Sequence, residues 1–359
     1  MAITYIAIAL GISFLLTYCT IPPIITIANE KKLFDMPNGR RLNKVAIPAI
    51  GGIAIFFGWV IASMLCIQGN FVEGMQYLFV AILLMFFVGL KDDIITIVAW
   101  KKFMIQICAA VILVVLGDFK IGDTYGFLGV AVFDEWMSIV ISIVLILFIT
   151  NAINLIDGID GLSSGLSILI SLCLGVGFYL SGMVGYAVIC FALLGSLVAF
   201  LRFNLSKGKN KTFMGDTGSL VIGIFLSATV IEFSNNVAAE NLFFISPPVM
   251  ALALFIVPVT DTLRVFFIRI KNGKSPFSPD MNHVHHLLIR GGMTHIQGTC
   301  FLIVYTMLFM LLAYLFSYFE LNITVSFFLV LSLSFVTNIS IAVLSDIRYN
   351  KGKLAQQRS

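Results

Sequence analysis

Three short segments carry oxygen-bearing side chains close to the ends of apolar stretches. These side chains are Asp92 and Asp93 in GLKDDIITI, Asn151, Asn154, Asp157 and Asp160 in NAINLIDGIDGL, and Asp216 in TFMGDTGSL. Neighbouring carboxylates repel each other and take up protons unless a cation lies among them. Hard oxygen ligands favour Mg²⁺ or Mn²⁺ over zinc, and Mg²⁺ is usually bound by one or two carboxylates together with substrate phosphates. The three segments therefore predict a divalent-cation site that acts on a phosphorylated substrate.

Each acidic segment also has a purely structural interpretation. Asp216 or Thr217 could cap the start of a helix, as Asp and Thr commonly do before an apolar run. Asp157 and Asp160 could hydrogen-bond backbone groups in a glycine-containing turn. Only 11% of the residues are charged, and charged side chains within a membrane are costly. Three acidic groups in such a chain therefore favour a functional site over three independent structural roles.

Basic residues share the loops that contain the acidic groups. Lys101 and Lys102 follow the acidic pair, Lys44 lies in the first loop, and the segment RIKNGKSPFSPDMNHVHHLLIRGG is strongly basic. Ammonium and guanidinium groups pair well with phosphate oxygens, which fits a phosphorylated substrate. The alternative is that these charges only set the orientation of the chain in a membrane. Asp261 and Arg264, one helical turn apart, are interpreted as a structural pair.

All four histidines of the chain lie between positions 283 and 295. The prolines before them and the glycines after them predict a short helix of about eleven residues that carries His283, His285 and His286. A zinc site needs four ligands, and only Asp280 and His295 could complete the set. Imidazoles and helix amides can instead donate hydrogen bonds to phosphate oxygens, which requires no further ligand. We therefore predict a phosphate-binding segment.

The elements that position these groups are long apolar stretches. Hydrophobic residues make up 60% of the 359 residues, and the mean hydropathy is +1.04. Because helices of about 17 to 25 apolar residues cross a bilayer core, the predicted fold is an all-α, polytopic transmembrane helical bundle. About eleven spans are predicted, near residues 2–28, 48–67, 76–92, 103–117, 136–154, 162–181, 184–202, 217–234, 243–268, 298–318 and 323–345.

Lys and Arg are distributed asymmetrically between the two ends of these spans. With the N-terminus outside, every Lys and Arg except Lys120 falls on the same side as the C-terminus. The positive-inside rule therefore predicts a cytoplasmic C-terminus, and the net charge of +4 reflects topology rather than nucleic-acid binding. We predict a single integral-membrane domain, residues 1–359, in a bacterial inner membrane. Its active site is expected in cytoplasmic loops near residues 29–47, 92–102, 155–161, 203–216 and 269–297.

The chain resembles the polyprenyl-phosphate N-acetylhexosamine-1-phosphate transferases in four motifs. These are VGLKDDIITI, NAINLIDGIDGL, FMGDTGSL and SPFSPDMNHVHHLLIRGGMTHIQ, in the family's order and spacing. The likeness is greatest to the bacterial undecaprenyl-phosphate N-acetylglucosamine-1-phosphate transferases, because Val284 interrupts the histidines, unlike in the branch that uses UDP-MurNAc-pentapeptide. The resemblance implies Mg²⁺-dependent (or Mn²⁺-dependent) transfer of a sugar 1-phosphate from a UDP-N-acetylhexosamine to undecaprenyl phosphate. UMP would be released in this first membrane step of O-antigen, teichoic acid or other surface-polysaccharide synthesis.

The resemblance also implies roles for individual residues. Catalytic roles are predicted for Asp92, Asp93, Lys102, Asp157 and Asp160, the last two on the nucleotide side. Asn154 and Asp216 are predicted to bind Mg²⁺. Substrate contacts are predicted for Asp35, Lys44, Asn151, Phe213, His283, His285 and His286, with Phe213 beside the uracil.

Two other classes of function fit part of the pattern. An ion-coupled transporter would also hold acidic groups, but near the bilayer midplane, whereas these acids lie at the ends of the spans. A metal-binding scaffold protein would explain the histidines but not the paired aspartates. The sequence leaves open the N-acetylhexosamine isomer, the downstream pathway, the choice between single and double displacement, and whether the chain forms a homodimer in the lipid membrane.

Overall fold

The computed structural model describes residues 1–31, 34–35, 47–67, 69–236, 246–275 and 280–356, and helices dominate it. The helices of these residues are α1 (Ala2–Lys31), α2 (Gly51–Cys66), α3 (Met75–Ile94), α4 (Ala99–Val111), α5 (Glu135–Leu155), α6 (Leu162–Leu180), α7 (Val184–Asn204), α8 (Gly215–Asn236), α9 (Pro247–Leu254), α10 (Ile256–Lys271), α11 (Val284–Arg290), α12 (His295–Tyr318) and α13 (Ile323–Gln356). A π-helical turn, Ile112–Leu116, extends α4. Two short strands, β1 (Phe34–Asp35) and β2 (Ile47–Pro48), pair antiparallel between α1 and α2.

The helices of the described ranges are long and apolar enough to form a membrane bundle. Eight of them meet the length and composition of a membrane span, and α9 with α10 adds a ninth if the two form one bent span. The predicted all-α, polytopic membrane fold is therefore confirmed. The number of about eleven spans and the sides on which the termini lie stay predictions.

Helix α8 lies at the centre of the bundle. In its apolar stretch 89% of the residues are buried, against 17% in α13, and α8 packs against α2, α3, α5 and α6. A Cβ atom on Gly89 of α3 would lie 2.5 Å from Thr217 Cα, and one on Gly52 of α2 would lie 2.2 Å from the Gly218 nitrogen. Glycine lets helix backbones approach this closely. The first turn of α8 is therefore clamped between α2 and α3.

The single span expected over residues 243–268 is broken in the structure. Helices α9 and α10 meet at 74°, and the backbone at Phe255 between them has φ −103° and ψ 20°. Pro258 has no N–H, and its ring would clash with the carbonyl of Leu254, four residues earlier, in a continuous helix. The break directs α10 away from the axis of α9 and against α13 and α5.

The histidine-bearing helix is shorter than the sequence predicts. Helix α11 begins at Val284 and has seven residues, because His283 has the extended backbone of an N-cap, with φ −60° and ψ 147°. Before it, the Asp280 carboxylate accepts a hydrogen bond from the Asn282 N–H, 3.0 Å away. Such a side chain-to-backbone bond favours a turn over a helix. Residues 276–279, where the helix was expected to begin, lie outside the described residues.

Candidate active site

Asp93, at the end of α3, caps the start of α8. Its carboxylate accepts hydrogen bonds from the Asp216 N–H at 2.7 Å and from the N–H and hydroxyl of Thr217. The cap of α8, for which Asp216 or Thr217 was the structural alternative, thus comes from another helix. Gly215 has a φ of +73°, which side chains with a Cβ rarely adopt, and a Cβ there would lie 2.6 Å from Asp93 Oδ2. This turn joins the acidic pair of α3 to Asp216.

Lys102 links the two other acidic groups of the site. Its Nζ lies 3.0 Å from Asp92 Oδ2 and 3.1 Å from Asp216 Oδ1. Asp92 also accepts a hydrogen bond from the Ile97 N–H at 2.6 Å, which closes the turn between α3 and α4. The Asn154 amide, at the end of α5, donates to Asp216 Oδ1 at 2.5 Å. Four helices thus bring one ammonium, one amide and two carboxylates into contact.

Asp157 adds a further carboxylate in the turn after α5. Burial, as the largest cause, together with the nearby charges of Asp216, Asp93 and Asp160 raises its pKa to about 7. A carboxyl group with such neighbours is half protonated near neutral pH unless a cation offsets their charge. The site therefore has more negative charge than Lys102 alone neutralises.

The residues of this site fit a hard divalent cation bound together with a phosphorylated ligand. Within the described residues, no three His, Cys, Asp or Glu side chains are grouped so that they could hold a metal ion. Mg²⁺, however, needs only one or two carboxylates when phosphates and water complete its oxygen ligands. Asp216, Asp92 and the Asn154 amide oxygen supply such donors, and the raised pKa of Asp157 indicates that a cation would be stabilised there.

A second polar cluster surrounds Asp160, before the start of α6. Asp160 Oδ2 lies 2.6 Å from Lys211 Nζ and 3.1 Å from His295 Nδ1. Burial opposes ionisation of Asp160, but the hydrogen bonds from His295 and Lys211 outweigh burial and hold its pKa below the usual value. Asp160 Oδ1 is buried and has no hydrogen-bond partner among the described residues. An ionised carboxylate thus offers one acceptor atom to a ligand.

The ring of Phe213 lies next to this cluster, 5.5 Å from Lys211 Nζ. The Phe213 backbone is held on both sides, because its N–H donates to Pro48 O at 2.8 Å and its carbonyl accepts from the Gly51 N–H at 2.9 Å. A half-buried aromatic ring beside an acceptor carboxylate is suited to a planar group with N–H donors. A nucleobase has these properties.

The three histidines of the fourth motif have different surroundings. His283 is buried, with Nδ1 at 2.8 Å from Asp261 Oδ2 and Nε2 at 3.4 Å from Arg269 Nη2. His285 is buried against the turn of Asp157, where a Cβ on Gly158 would lie 2.1 Å from His285 Nε2. Nδ1 of His285 and of His286 has no hydrogen-bond partner in the described part of the chain.

The electrostatic state of His285 and His286 follows from their environment. Burial lowers the pKa of both rings, and the neighbouring histidines lower each pKa further. Neutral imidazole can still donate one hydrogen bond. These two rings are therefore uncharged hydrogen-bonding groups near neutral pH, in contrast to the cationic role that a basic segment suggests.

Comparison of the sequence with known proteins identifies its family. The sequence profile of glycosyl transferase family 4 matches residues 75–234, which include α3, α5, α8 and the acids that they carry. The undecaprenyl-phosphate alpha-N-acetylglucosaminyl 1-phosphate transferase of Yersinia pestis is 33% identical over 74% of this chain and 72% of its own length. The chain belongs to glycosyl transferase family 4. The decaprenyl-phosphate N-acetylglucosaminephosphotransferase of Mycobacterium tuberculosis is also similar, with 34% identity over 78% of this chain and 75% of that protein.

Three of the predicted site residues, Asn151, Asp35 and Lys44, are not among those that the structure brings together. Asn151 is turned toward α4, where its amide donates to Gln106 Oε1 at 2.8 Å and to Leu147 O at 2.7 Å. Asp35 lies in β1, and its side chain and all of Lys44 lie outside the described residues. The structure brings together the other predicted residues in two adjoining groups. The first comprises Asp92, Asp93, Lys102, Asn154, Asp157 and Asp216. The second comprises Asp160 and Phe213, which both lie next to Lys211. The rings of His283, His285 and His286 lie side by side, with His285 against Gly158 in the turn between Asp157 and Asp160.

Two residues of this family 4 site were not predicted from the sequence. Lys211 and His295 both contact Asp160, although they are 51 and 135 residues away from it in sequence. Lys211 lies two positions before Phe213, and His295 lies in the THIQ end of the fourth motif. Both residues lie in or next to the motifs that resemble those of the family, but no regular spacing in the sequence connects them to Asp160.

Proposed function

We propose that this chain transfers N-acetylglucosamine 1-phosphate from UDP-N-acetylglucosamine to undecaprenyl phosphate and releases UMP. Membership of glycosyl transferase family 4 makes it a transferase. Its relatives in Yersinia pestis and Mycobacterium tuberculosis are named for N-acetylglucosamine and for undecaprenyl or decaprenyl phosphate. The product, undecaprenyl-diphosphate-sugar, would start the synthesis of a cell-surface polysaccharide.

One observation carries the proposal more than any other. Lys102 lies between Asp92 and Asp216, and burial and the neighbouring carboxylates raise the pKa of Asp157 to about 7. A site with this charge is suited to a substrate that brings phosphates and a divalent cation with it. The adjoining group around Asp160 and Phe213 is suited to the nucleobase of the donor.

The reaction requires little covalent chemistry from the protein. An oxygen of the lipid phosphate attacks the β-phosphorus of the UDP-sugar. The bond from this phosphorus to the bridging oxygen breaks, and its electron pair leaves with UMP. Positioning and charge stabilisation dominate the catalysis of phosphoryl transfer. Lys102 would stabilise the charge that develops on the phosphates, and His285 and His286 would donate hydrogen bonds to their oxygens.

The contacts of the acidic pair favour single displacement. Asp93 already accepts three hydrogen bonds from the start of α8, which leaves it poorly suited to attack phosphorus. Asp92 is paired with Lys102 and is only 9% exposed. A phosphate monoester with a second pKa of about 6 is largely dianionic at neutral pH and needs no strong base. Asp92 would therefore orient Lys102 and the acceptor rather than form an aspartyl phosphate.

Mg²⁺, or Mn²⁺ in its place, belongs to the proposal as a cofactor. Asp216 and Asn154, with Asp92 beside them, would hold the ion. Bound there, it would offset the negative charge of the diphosphate.

The proposed location is the inner membrane of a bacterium, with the site open to the cytoplasm. The acids lie at the end of the bundle that carries most of the Lys and Arg residues, such as Lys91, Lys101 and Arg202. The positive-inside rule assigns that end to the cytoplasm. A nucleotide sugar and the phosphate group of a membrane lipid would meet at this surface.

The test is the release of UMP by the purified chain in detergent with UDP-N-acetylglucosamine, undecaprenyl phosphate and Mg²⁺. We expect UMP and lipid-linked sugar in equal amounts. Asp216→Asn should abolish both products, whereas Asp134→Asn, an exposed residue before α5, should leave them unchanged. UDP-N-acetylgalactosamine and UDP-MurNAc-pentapeptide serve as alternative donors. If none of the three donors gives UMP, the proposed function is wrong.

A further inference from the structure

Asp261 of α10 is fully buried and accepts hydrogen bonds from three different residues. Its Oδ1 accepts from the Val284 N–H at 2.9 Å and from Arg264 Nη2 at 2.7 Å, and its Oδ2 lies 2.8 Å from His283 Nδ1. Val284 is the first residue of α11 and His283 is its N-cap. A single carboxylate of α10 thus holds the start of the histidine-bearing helix.

Two arginines of α10 extend this connection along the loop. Arg264 Nη2 also donates to the carbonyl of Asn282, and Arg269 Nε donates to Asp280 Oδ2 at 2.9 Å. Both arginines are nearly buried. Buried ionic groups are costly unless they are paired and hydrogen-bonded, and each of these arginines has such a partner in the loop or in Asp261. The loop from Asp280 to Val284 therefore has one favourable arrangement against α10.

The contacts of His283 distinguish it from the other two histidines of the motif. A carboxylate only accepts hydrogen bonds, so the Nδ1 that faces Asp261 carries the ring proton. Nε2 is then an acceptor, and it faces Arg269 Nη2 at 3.4 Å. Both ring nitrogens are thus engaged inside the protein. His285 and His286, in contrast, have Nδ1 atoms without a partner in the described residues, and His285 packs against Gly158 beside the acidic group.

We propose that Asp261 and His283 are positioning residues for the nucleotide sugar. Asp261 holds the His283 ring and the first amide of α11, and this contact sets the direction in which His285 and His286 face the site. His283 then contributes through the loop and does not itself bind phosphate. The inference rests on the proposed function and deepens it, because it assigns the phosphate contacts to His285 and His286.

Two isosteric substitutions at one position test this assignment. Asparagine places its amide NH₂ close to the position of histidine Nδ1, and glutamine places its amide NH₂ close to that of Nε2. His283→Asn keeps the donor to Asp261, whereas His283→Gln removes it. For UDP-N-acetylglucosamine at saturating undecaprenyl phosphate, we expect a KM at least about tenfold higher in His283→Gln than in His283→Asn, with a smaller difference in kcat. The opposite order would mean that Nε2 contacts the substrate and would overturn the proposal.

Asp261→Asn tests the other side of the same contact against a matched control. Its amide has only one accepting oxygen and can no longer accept both from His283 and from the Val284 N–H, so we expect the KM for the UDP-sugar to rise by about tenfold or more. The control is Thr260→Val, because Thr260 is equally buried but hydrogen-bonds to Ser334 and Asn338 of α13. Equal KM values in Asp261→Asn and Thr260→Val would contradict the proposal. If Asp261→Asn does not fold, the comparison at His283 still decides.

Hydrogen exchange separates this inference from the proposed function. The Val284 N–H is protected by Asp261, so its exchange in the ligand-free protein should be at least about tenfold faster in Asp261→Asn and His283→Gln, while α8 and α12 exchange at the wild-type rate. Uniformly faster exchange throughout the bundle would indicate a general loss of stability and would overturn the positioning role. Absence of UMP release by the wild type would refute the proposed function. The exchange of the Val284 N–H would still show whether Asp261 and His283 hold the start of α11.

Discussion

Residue by residue, the two adjacent aspartates of α3 have different partners and therefore different expected roles. Asp92 pairs with Lys102 at 3.0 Å, in contact with the groups that would handle phosphate. Asp93 accepts from the amides of Asp216 and Thr217, the second and third residues of α8, at 2.7 and 2.9 Å, and so caps the start of that helix from outside it. Adjacent positions on a helix point in different directions, which explains how one acidic pair can serve both the chemistry and the scaffold.

Substitution by asparagine should separate these two roles. Asp92→Asn removes the charge that orients Lys102, so transfer should fall by about 100-fold or more, with an unchanged melting temperature. Asp93→Asn weakens the cap of α8, which should cost about 1 kcal/mol of stability as well as activity. UMP release and thermal unfolding in detergent measure the two effects. A melting temperature lowered equally by both substitutions would argue against distinct roles.

The carboxyl group of Asp157 predicts a pH dependence of cation binding. Burial and three neighbouring carboxylates raise its pKa to about 7, so the group is mostly protonated at pH 6 and mostly ionised at pH 8. A cation binds the ionised form better, and the affinity for Mn²⁺ should therefore rise by about tenfold between these pH values. Calorimetry with the ligand-free protein measures this rise. Asp157→Asn should remove this rise in affinity. If the Mn²⁺ affinity of the variant still rises as much between the two pH values, Asp157 is not the group responsible.

Among the secondary-structure elements, the sequence predicted most helices but not the points at which they break or begin. Long apolar runs indicate helices because a bilayer requires internally satisfied backbones. The break at Phe255 depends on how Pro258 affects a carbonyl four residues earlier, and the short α11 depends on Asp261, 23 residues before Val284. The cap of α8 comes from Asp93, which is 123 residues away from Asp216. Contacts over such distances leave no periodic pattern in the sequence.

The close approach of α3 and α8 predicts that Gly89 cannot be replaced even by alanine. A Cβ there would lie 2.5 Å from Thr217 Cα and 2.6 Å from Asp216 O, and these backbone atoms cannot move without displacing the cap and Asp216. Gly89→Ala should therefore lower the melting temperature and abolish UMP release. Gly11→Ala in α1, where a Cβ meets nothing within 4 Å, is the matched control and should keep both. Wild-type activity in Gly89→Ala would refute this packing.

For the whole molecule, the site lies at the end of the bundle that carries most of the Lys and Arg residues. Helix α3 has Glu73 just before its start and the Asp92–Asp93 pair at its end, about 30 Å apart for a helix of this length. Helices α5 and α7 end, and α6 and α8 begin, on the side of the acidic pair, because their terminal residues contact one another there. Under the proposed function, this end would face the cytoplasm, where it would meet the nucleotide sugar.

The orientation of the whole chain can be tested with single cysteines at the two ends. We expect Glu73→Cys to react with a membrane-impermeant maleimide in intact cells, and Lys209→Cys to react only after the inner membrane is permeabilised. Both positions are exposed, so accessibility to the reagent depends on the side of the membrane. The six native cysteines are first replaced by alanine, and UMP release by that variant confirms that it folds. Labelling of Lys209→Cys in intact cells would show that the orientation is the opposite of the one predicted. Because the positive-inside rule acts on the whole distribution of Lys and Arg, this result would apply to every span. It would also place the acidic site outside the compartment that supplies UDP-sugars.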